Sequence, residues 1–189
     1  MSIRRIAAIC AVLVCLPGIA LAQPISGLGL FAGLSSTSYT EPGLSLDAGG
    51  FGFGVDYQVV LNPTVSINPH LLFVHEQADD VLLSDPFLGS FTFETEFDYT
   101  VMGVHVLFWP VETFFIGGGL SNHSVKLTVT EKSTGKSASD TESDVSPGLV
   151  AGFATPGGFF VSARYDAVEI QGSDIKSLRV LFGYRFKPQ

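Results

Sequence analysis

The sequence predicts an all-β fold: a single eight-stranded antiparallel up-and-down β-barrel that spans a membrane. Three observations lead to this fold class. Apolar residues alternate with small or polar residues along successive segments of the chain. No run after Ala22 approaches the roughly 18 apolar residues that a transmembrane helix requires. Short and long connections also alternate between the segments, which is typical of outer-membrane barrels.

The start of the chain has the features of a cleavable signal peptide. Arg4 and Arg5 precede a short apolar stretch, and Ala20-Leu21-Ala22 supplies the small residues that signal peptidase requires. An uncleaved membrane anchor is the alternative. We expect residues 1–22 to be removed and residues 23–189 to form one barrel domain.

Composition narrows the class of protein further. Charged residues make up only 15% of the chain, whereas soluble domains spend about a quarter of their residues on charge. The net charge of −8 becomes −10 once Arg4 and Arg5 leave with the signal, which argues against a nucleic-acid partner. Cys10 and Cys15 would leave as well, so we expect no disulfide and no metal bound through sulfur.

Two segments show the alternation most clearly. In residues 50–59 the odd positions are aromatic or β-branched, and the even positions are small or polar, such as Asp56. In residues 177–186 the even positions are apolar, and the odd positions include Arg179 and Arg185. Because alternate residues of a strand point to opposite faces, each segment has one apolar face. Six further strands are predicted at 27–36, 64–76, 95–108, 113–122, 145–154 and 159–168.

The connections between these strands fall into two sets. Three short turns contain Pro or Gly: Asn62-Pro63, 109–112 and 155–158. The other connections are longer and more polar: 37–46, 77–94, 123–144 and 169–174. Every second connection of an up-and-down barrel lies at the same end, so the short turns predict the periplasmic end and the long loops the outer end.

Aromatic residues lie close to both ends of the predicted strands, where interfacial girdles would form. The alternative is that they are ordinary core residues of strands. The girdle expected near the short turns contains Tyr57, Phe108, Trp109, Phe114, Phe159 and Phe186. The girdle expected near the long loops contains Tyr39, Phe97, Tyr99 and Tyr165.

A soluble, lipocalin-like barrel is the structural alternative, with an apolar interior and a polar exterior. Its surface would carry Lys and Glu on most strands, but the polar face here is mostly Gly, Ser and Asn. Small residues suit the narrow interior of an eight-stranded barrel. An unpaired buried charge costs several kcal/mol, so we expect the inward charges to pair. The predicted lumen charge network contains Asp56, Arg164, Asp166, Arg179 and Arg185, and the other large inward residues are Gln58, His70, Glu76 and Phe160.

The sequence of the final strand is Arg179-Val-Leu-Phe-Gly-Tyr-Arg-Phe186. With the signal and the eight alternating segments, it makes the chain resemble the small Gram-negative outer-membrane barrels, including the OmpX, OmpA-barrel, OmpW and opacity-protein families. The resemblance implies an outer-membrane location, contact with outer-membrane lipid including lipopolysaccharide, and insertion by the barrel assembly machinery. Members typically end on the aromatic residue, whereas Lys187, Pro188 and Gln189 follow Phe186 here.

Two motifs suggest catalysis or cofactor binding, but neither has the local structure that this chemistry requires. Gly27-Leu-Gly29-Leu-Phe-Ala32 matches a dinucleotide fingerprint, but that site needs a helix after the glycines, and Ser35-Ser-Thr-Ser-Tyr39 follows. In Asn122-His123-Ser124 the histidine and serine are adjacent, so a regular strand would point them to opposite faces. We therefore expect no enzyme activity and no cofactor.

Metal binding is also not expected. His70 and His105 could both face the lumen. If strands 3 and 4 pair about a loop centred near residues 85–86, His70 lies opposite Val101. His105 is then four residues further along, roughly 14 Å away at ~3.4 Å per residue. That gap exceeds what two metal–nitrogen bonds of about 2.1 Å can span.

The outer loops remain the candidate for function. Residues 131–144 are rich in Ser, Thr, Asp and Lys, whereas residues 81–93 are unusually apolar for an exposed loop. The apolar segment is either a strand continuing above the membrane or a contact patch for a partner. We expect a non-enzymatic barrel for envelope integrity or surface interaction. The alternative is an OmpW-like narrow channel for small hydrophobic molecules.

Overall fold

The computed structural model describes residues 24–41, 44–78, 80–85, 89–170 and 173–187. The signal peptide predicted at residues 1–22 lies outside this part of the chain. The described strands are β1 (Gly27–Glu41), β2 (Leu44–Asn62), β3 (Val65–Ala78), β4 (Val81–Asp85), β5 (Gly89–Val111), β6 (Phe114–Glu131), β7 (Ser137–Ala154), β8 (Phe159–Ile170) and β9 (Ser173–Arg185). Among the described residues, no helix is long and apolar enough to cross a membrane.

The strands close into a ring. Each long strand pairs antiparallel with its sequence neighbours, and β1 also pairs with β9. The strand β4 is short and pairs only with the first residues of β5, while β3 pairs with the rest of β5. Leaving β4 aside, the other eight strands form one closed antiparallel barrel. The predicted fold class is confirmed.

The outer surface of the barrel is apolar, and its interior is small and polar. On β2, Phe51 and Phe53 are each 57% exposed, whereas Asp56 and Gln58 between the outward positions are buried. Leu149 and Phe159 on the opposite wall are each 64% exposed. A soluble barrel would have the reverse arrangement. The structure therefore has the lipid-facing surface that the alternation predicted.

The longer connections differ from the prediction, because most of their residues continue the strands. In place of a loop at 37–46, β1 continues to Glu41 and β2 begins at Leu44. In place of a loop at 123–144, β6 continues to Glu131 and β7 begins at Ser137. The outward side chains of these segments are polar, and the apolar residues Val125 and Leu127 face the interior. The segments therefore lack a lipid-facing side, yet their backbones still pair.

The wall of the barrel is uneven in height. β7 pairs with β8 only between Gly148 and Ala154. The next residue, Pro147, has no N–H to donate to a neighbouring strand. Residues 137–147 pair with β6 on one side and have no ladder partner on the other side among the described residues. We call residues 123–147, which rise beyond this point, the projecting hairpin.

Trp109 corrects one member of the predicted girdles. It lies inside the barrel at 2% exposure, where its Nε1 donates a hydrogen bond to Ser66 Oγ at 2.9 Å and its ring lies 5.0 Å from that of Phe115. Its position follows from the alternation, since Trp109 shares the inward parity of Leu107. The other predicted members face outward or are partly exposed: Tyr57, Phe108, Phe114, Phe159 and Phe186.

The predicted girdle at the outer end is wrong for three of its four residues. Phe97 and Tyr99 are buried in the barrel, and Tyr39 packs against the same cluster. Only Tyr165 faces outward. These rings fill the lumen because the outer part of the interior carries few large polar side chains, and apolar volume takes the space.

Candidate functional site

A first cluster of charges occupies the lumen towards the short-turn end. Arg185 on β9 donates from Nη2 to both carboxylate oxygens of Asp56 on β2, at 2.9 and 3.0 Å. Its Nη1 donates to Gln58. Arg164 on β8 approaches the same carboxylate at 3.8 Å. All four side chains are buried, so three separate strands meet at one carboxylate in the barrel interior.

A second cluster lies further along the lumen. Arg179 Nη1 donates to Asp166 Oδ2 at 2.5 Å, and His123 Nε2 lies 3.9 Å from the other oxygen of that carboxylate. Near the outer end, Thr37 on β1 donates to Glu76 at 3.0 Å. Glu76 is fully buried, so the inward position expected for it from sequence is observed.

The five residues of the predicted charge network all lie inside the barrel: Asp56, Arg164, Asp166, Arg179 and Arg185. The structure divides them into two groups around Asp56 and Asp166. Arg164 and Asp166 share a face of β8, but each contacts a carboxylate or guanidinium on another strand. The Asp56 group therefore connects strands that are far apart in the sequence, whereas Arg179 and Asp166 connect the neighbouring strands β9 and β8.

Aromatic rings support all three lumen guanidinium groups. Arg179 lies 5.8 Å from the ring centre of Tyr99. Arg164 lies 4.8 Å from the ring centre of Phe31, and Arg185 lies 4.8 Å from that of Phe160. The two rings contact each other edge to face at 6.4 Å. Such contacts favour a cation over the ring face and exclude water from it. The lumen is thus filled by alternating charge and aromatic volume.

Glycines on neighbouring strands make room for the two aspartates. Asp56 leans over Gly29, where an added Cβ would collide with Asp56 Oδ1. Asp166 leans over Gly148 in the same way. Gly49 differs, because its added Cβ would meet no atom closer than 3.9 Å. The inward glycines therefore set the positions of the carboxylates, a role that the alternation alone did not reveal.

The two lumen histidines are closer than predicted. The rings of His70 and His105 stack with their centres 4.5 Å apart. The expected pairing of His70 with Val101 is wrong, because Leu72 faces Val101 and His70 faces Gly103. The register is shifted by two residues, since the connection is centred further along the chain than expected. No group of metal-ligating side chains suited to an ion is found among the described residues.

The motifs considered for catalysis lie on regular strands. His123 is buried in the lumen, and Ser124 points to the outside of the barrel. The glycines of the dinucleotide-like motif belong to β1, whose described residues continue as strand to Glu41. These placements agree with the expected strand geometry.

The tip of the projecting hairpin is held by its own hydrogen bonds and by one contact with Asp80. Ser133 and Thr134 donate hydrogen bonds to the Glu131 carboxylate, which hold the pKa of Glu131 below its usual value. Lys132 Nζ donates to Asp80 at 2.8 Å, and this hydrogen bond raises the pKa of Lys132.

One face of the projecting hairpin is acidic. Asp140, Glu142 and Asp144 occupy alternate positions of β7, so they lie on the same face of the strand. Asp140 also accepts a hydrogen bond from the backbone N–H of Thr141. Residues 131–144 are therefore strand and tight turn rather than a long loop. The backbone of 81–93 forms β4 and the start of β5, but the side chains of 81–91 lie outside the described part.

A family model for the outer membrane protein beta-barrel domain matches residues 6–186. The chain belongs to this family of outer-membrane β-barrel proteins. The match includes nearly the whole sequence, so the barrel described above is the outer-membrane barrel of this family. Its apolar outer surface is the surface that faces lipid. No curated protein matches the chain.

Solved structures show the same fold for this outer-membrane barrel. Ail, the attachment invasion locus protein of Yersinia pestis, matches with a TM-score of 0.62 and 19% identity, covering 86% of this chain and 100% of Ail. Neisserial surface protein A matches with a TM-score of 0.54 and 10% identity, covering 87% of this chain and 100% of that chain. At these low sequence identities, the matches show a likeness of fold alone.

Proposed function

We propose that this outer-membrane barrel is a non-enzymatic surface protein that binds an extracellular partner through its projecting hairpin. The observation that carries the proposal is the uneven wall. Residues 137–147 of β7 pair with β6 and have an unpaired edge on the side of β8 among the described residues. An unpaired strand edge presents N–H and C=O groups to an extended segment of another chain.

The acidic face of the hairpin, and not its net charge, favours a cationic partner, because Lys126, Lys132 and Lys136 nearly balance its four carboxylates. Asp140 and Asp144 are exposed, and Glu142 lies between them on the same face. Like charges across an interface disfavour binding, so a polyanion is a poor ligand for this face. Ail has been crystallised with the heparin analogue sucrose octasulfate. We expect this protein to differ and to bind sulfated polysaccharides weakly.

The filled lumen supports a closed barrel over the narrow-channel alternative. An eight-stranded barrel is about wide enough for its own side chains, whereas porins need about 16 strands to hold a water-filled channel. Here Arg164, Arg179 and Arg185 each lie within 4.0 Å of a carboxylate inside the barrel. We infer that the lumen does not conduct ions.

We also propose that the protein is exported by a cleaved signal peptide and then inserted into the outer membrane. Residues 1–22 would direct export and leave the mature chain, 23–189. Lipopolysaccharide would contact the apolar outer surface, and the barrel assembly machinery would insert the protein. N-terminal sequencing of protein from cell envelopes tests the cleavage, with Gln23 as the expected first residue. A start at Met1 would contradict the cleaved signal.

A binding experiment tests the surface function. The refolded protein is placed in phosphatidylcholine nanodiscs, and binding of poly-L-lysine and of heparin is measured at two salt concentrations. We expect poly-L-lysine to bind in a salt-dependent way and heparin not to bind. The variant Asp140→Asn, Glu142→Gln, Asp144→Asn should weaken poly-L-lysine binding by roughly tenfold, as expected for three exposed charges.

The matched control changes the other face of the same strand. Ser139→Asn, Thr141→Gln and Ser143→Asn alter three side chains at neighbouring positions and keep the acidic face. This variant should bind as the unaltered protein does. Equal loss of binding in both variants, or binding by empty nanodiscs, would contradict a role for the acidic face.

Planar-bilayer recording tests the closed lumen. We expect no steady single-channel conductance from the refolded protein. Conductance that persists after neutral substitution of Arg164, Arg179 and Arg185 would favour the channel for small hydrophobic molecules instead.

A further inference from the structure

A small chamber lies inside the barrel next to the Asp56 cluster. The centre of a water-sized sphere can occupy about 10 Å³ of it, so the chamber holds a sphere at least as large as a water molecule. Arg164, Arg185, Asn68 and Ser162 line it together with Asp56. The remaining walls are apolar and include two aromatic rings. The chamber therefore lies among buried side chains, with polar groups on one side.

The polar groups of the chamber are mostly donors that lack acceptors. Arg164 Nε and Nη1, Asn68 Nδ2 and Ser162 Oγ are buried and have no hydrogen-bond partner among the described residues. All three side chains are at most 4% exposed. Buried donors are normally satisfied, so a group of them around one chamber indicates an acceptor.

The chamber also has an excess of positive charge. Arg164 and Arg185 both lie within 4.0 Å of Asp56, and Arg185 binds both of its oxygens. The next carboxylate of the lumen, Asp166, is bound by Arg179 at 2.5 Å. One guanidinium of the chamber thus has no carboxylate of its own, and a buried charge of this kind is costly without a counter-ion.

We infer that this chamber binds a single small monatomic anion, with chloride as the natural occupant. A chloride ion accepts hydrogen bonds from several donors at once and neutralises the excess charge of Arg164. The site lies inside the barrel wall, and its occupation is independent of any partner at the projecting hairpin.

Bromide identifies the site directly, because it replaces chloride and scatters X-rays anomalously. The protein is refolded and crystallised in sodium bromide, so that the ion can enter before the barrel closes. We expect one bromine peak in the anomalous difference map between Arg164, Asn68 and Ser162. A chamber that holds water, or bromide found only on the outer surface, would overturn the inference.

A solution experiment checks the ion without crystals. An ion that binds only the folded barrel raises the unfolding midpoint as its concentration rises. We expect a higher midpoint in sodium chloride or sodium bromide than in sodium gluconate at equal ionic strength. Arg164→Gln should abolish this difference, while Asp56 keeps its contact with Arg185 and supports folding. A halide effect of the same size in Arg164→Gln would overturn the site.

Two serine variants give a matched pair. Ser162→Ala removes one donor of the chamber and should weaken halide affinity by about fivefold, the equivalent of one net hydrogen bond of about 1 kcal/mol. Ser146→Ala also removes a buried hydroxyl without a partner in the described structure, but Ser146 does not line the chamber. It should leave halide affinity unchanged. Equal effects of the two substitutions would contradict a localised site.

Discussion

The lumen and the projecting hairpin both carry charge, with opposite consequences. Within β7, Val150 is buried in the barrel, and Asp140 further along the strand is exposed. Lumen charges contact charged partners on other strands, as Arg185 contacts Asp56. Exposed hairpin charges contact neighbouring residues, as Glu131 contacts Ser133, or another exposed charge, as Lys132 contacts Asp80. A charge buried in the barrel therefore links strands of the fold, whereas an exposed charge on the hairpin is accessible to a binding partner.

The physical reason for this difference is that water screens exposed charges but does not reach buried ones. Exposed ion pairs contribute about 0–1 kcal/mol because water screens them. Removing one partner of a buried pair costs about 3–5 kcal/mol, because the other charge is left without a counter-ion. Lumen residues should thus govern stability, and hairpin residues should govern recognition.

The largest expected effect comes from the carboxylate that two arginines share. Asp56→Asn leaves Arg164 and Arg185 in the lumen without a negative partner. We expect the free energy of unfolding to fall by about 3–5 kcal/mol. Urea unfolding in detergent, followed by fluorescence of the single tryptophan, Trp109, measures it.

Asp140→Asn is the control for this prediction. It removes an exposed carboxylate of the projecting hairpin and should change the free energy of unfolding by less than about 0.5 kcal/mol. Similar losses in both variants would show that depth does not separate the two regions.

The inward glycines give the next largest effect. Gly148→Ala places a Cβ against Asp166 Oδ1 and displaces the carboxylate from Arg179. We expect a loss of about 1–3 kcal/mol, the usual cost of overpacking. Gly49→Ala is the matched control, since its Cβ meets only ordinary contacts. A Gly148→Ala protein as stable as Gly49→Ala would show that the aspartate can move freely.

A loss of the same order is expected when the tryptophan hydrogen bond is removed. Ser66→Ala removes the acceptor of Trp109 Nε1 and leaves a buried donor unpaired. We expect a loss of about 1–3 kcal/mol in the free energy of unfolding, together with a shift of Trp109 emission. Ser139→Ala on the exposed hairpin should change neither quantity. An unshifted emission spectrum in Ser66→Ala would contradict the bond.

Alternation predicted which side chains face the lumen, because parity needs no long-range information. Asp56 and Arg185 could be placed inside from their own segments. The contact between these two residues could not be predicted, because it depends on how β9 pairs with β1 to close the barrel. The same limit explains the error for His70, whose facing residue depends on where the chain turns between β3 and β5.

The polar ends of β6 and β7 were the second feature that hydropathy could not predict. Residues 123–131 and 137–144 pair as strands, but their outward side chains are polar, and the apolar residues Val125 and Leu127 face the interior. Their Ser, Thr and Asp content is typical of loops as well as of exposed strands. The height of the barrel wall, and with it the proposed binding surface, therefore came from pairing and not from hydropathy.

The smallest expected effect concerns pH at the tip of the projecting hairpin. Hydrogen bonds from Ser133 and Thr134 favour the ionised form of Glu131 and lower its pKa. A group whose pKa is lower in the folded state stabilises that state above its unfolded pKa, and the contribution is lost as pH falls through the folded pKa. The tip should therefore be ordered at neutral pH and loosen in acid. A carbon-13 NMR titration of the Glu131 carboxyl measures the midpoint, which Ser133→Ala with Thr134→Ala should move upward and Ser139→Ala should leave in place. An unchanged midpoint in the double variant would mean that the two hydroxyls do not hold the carboxylate in solution.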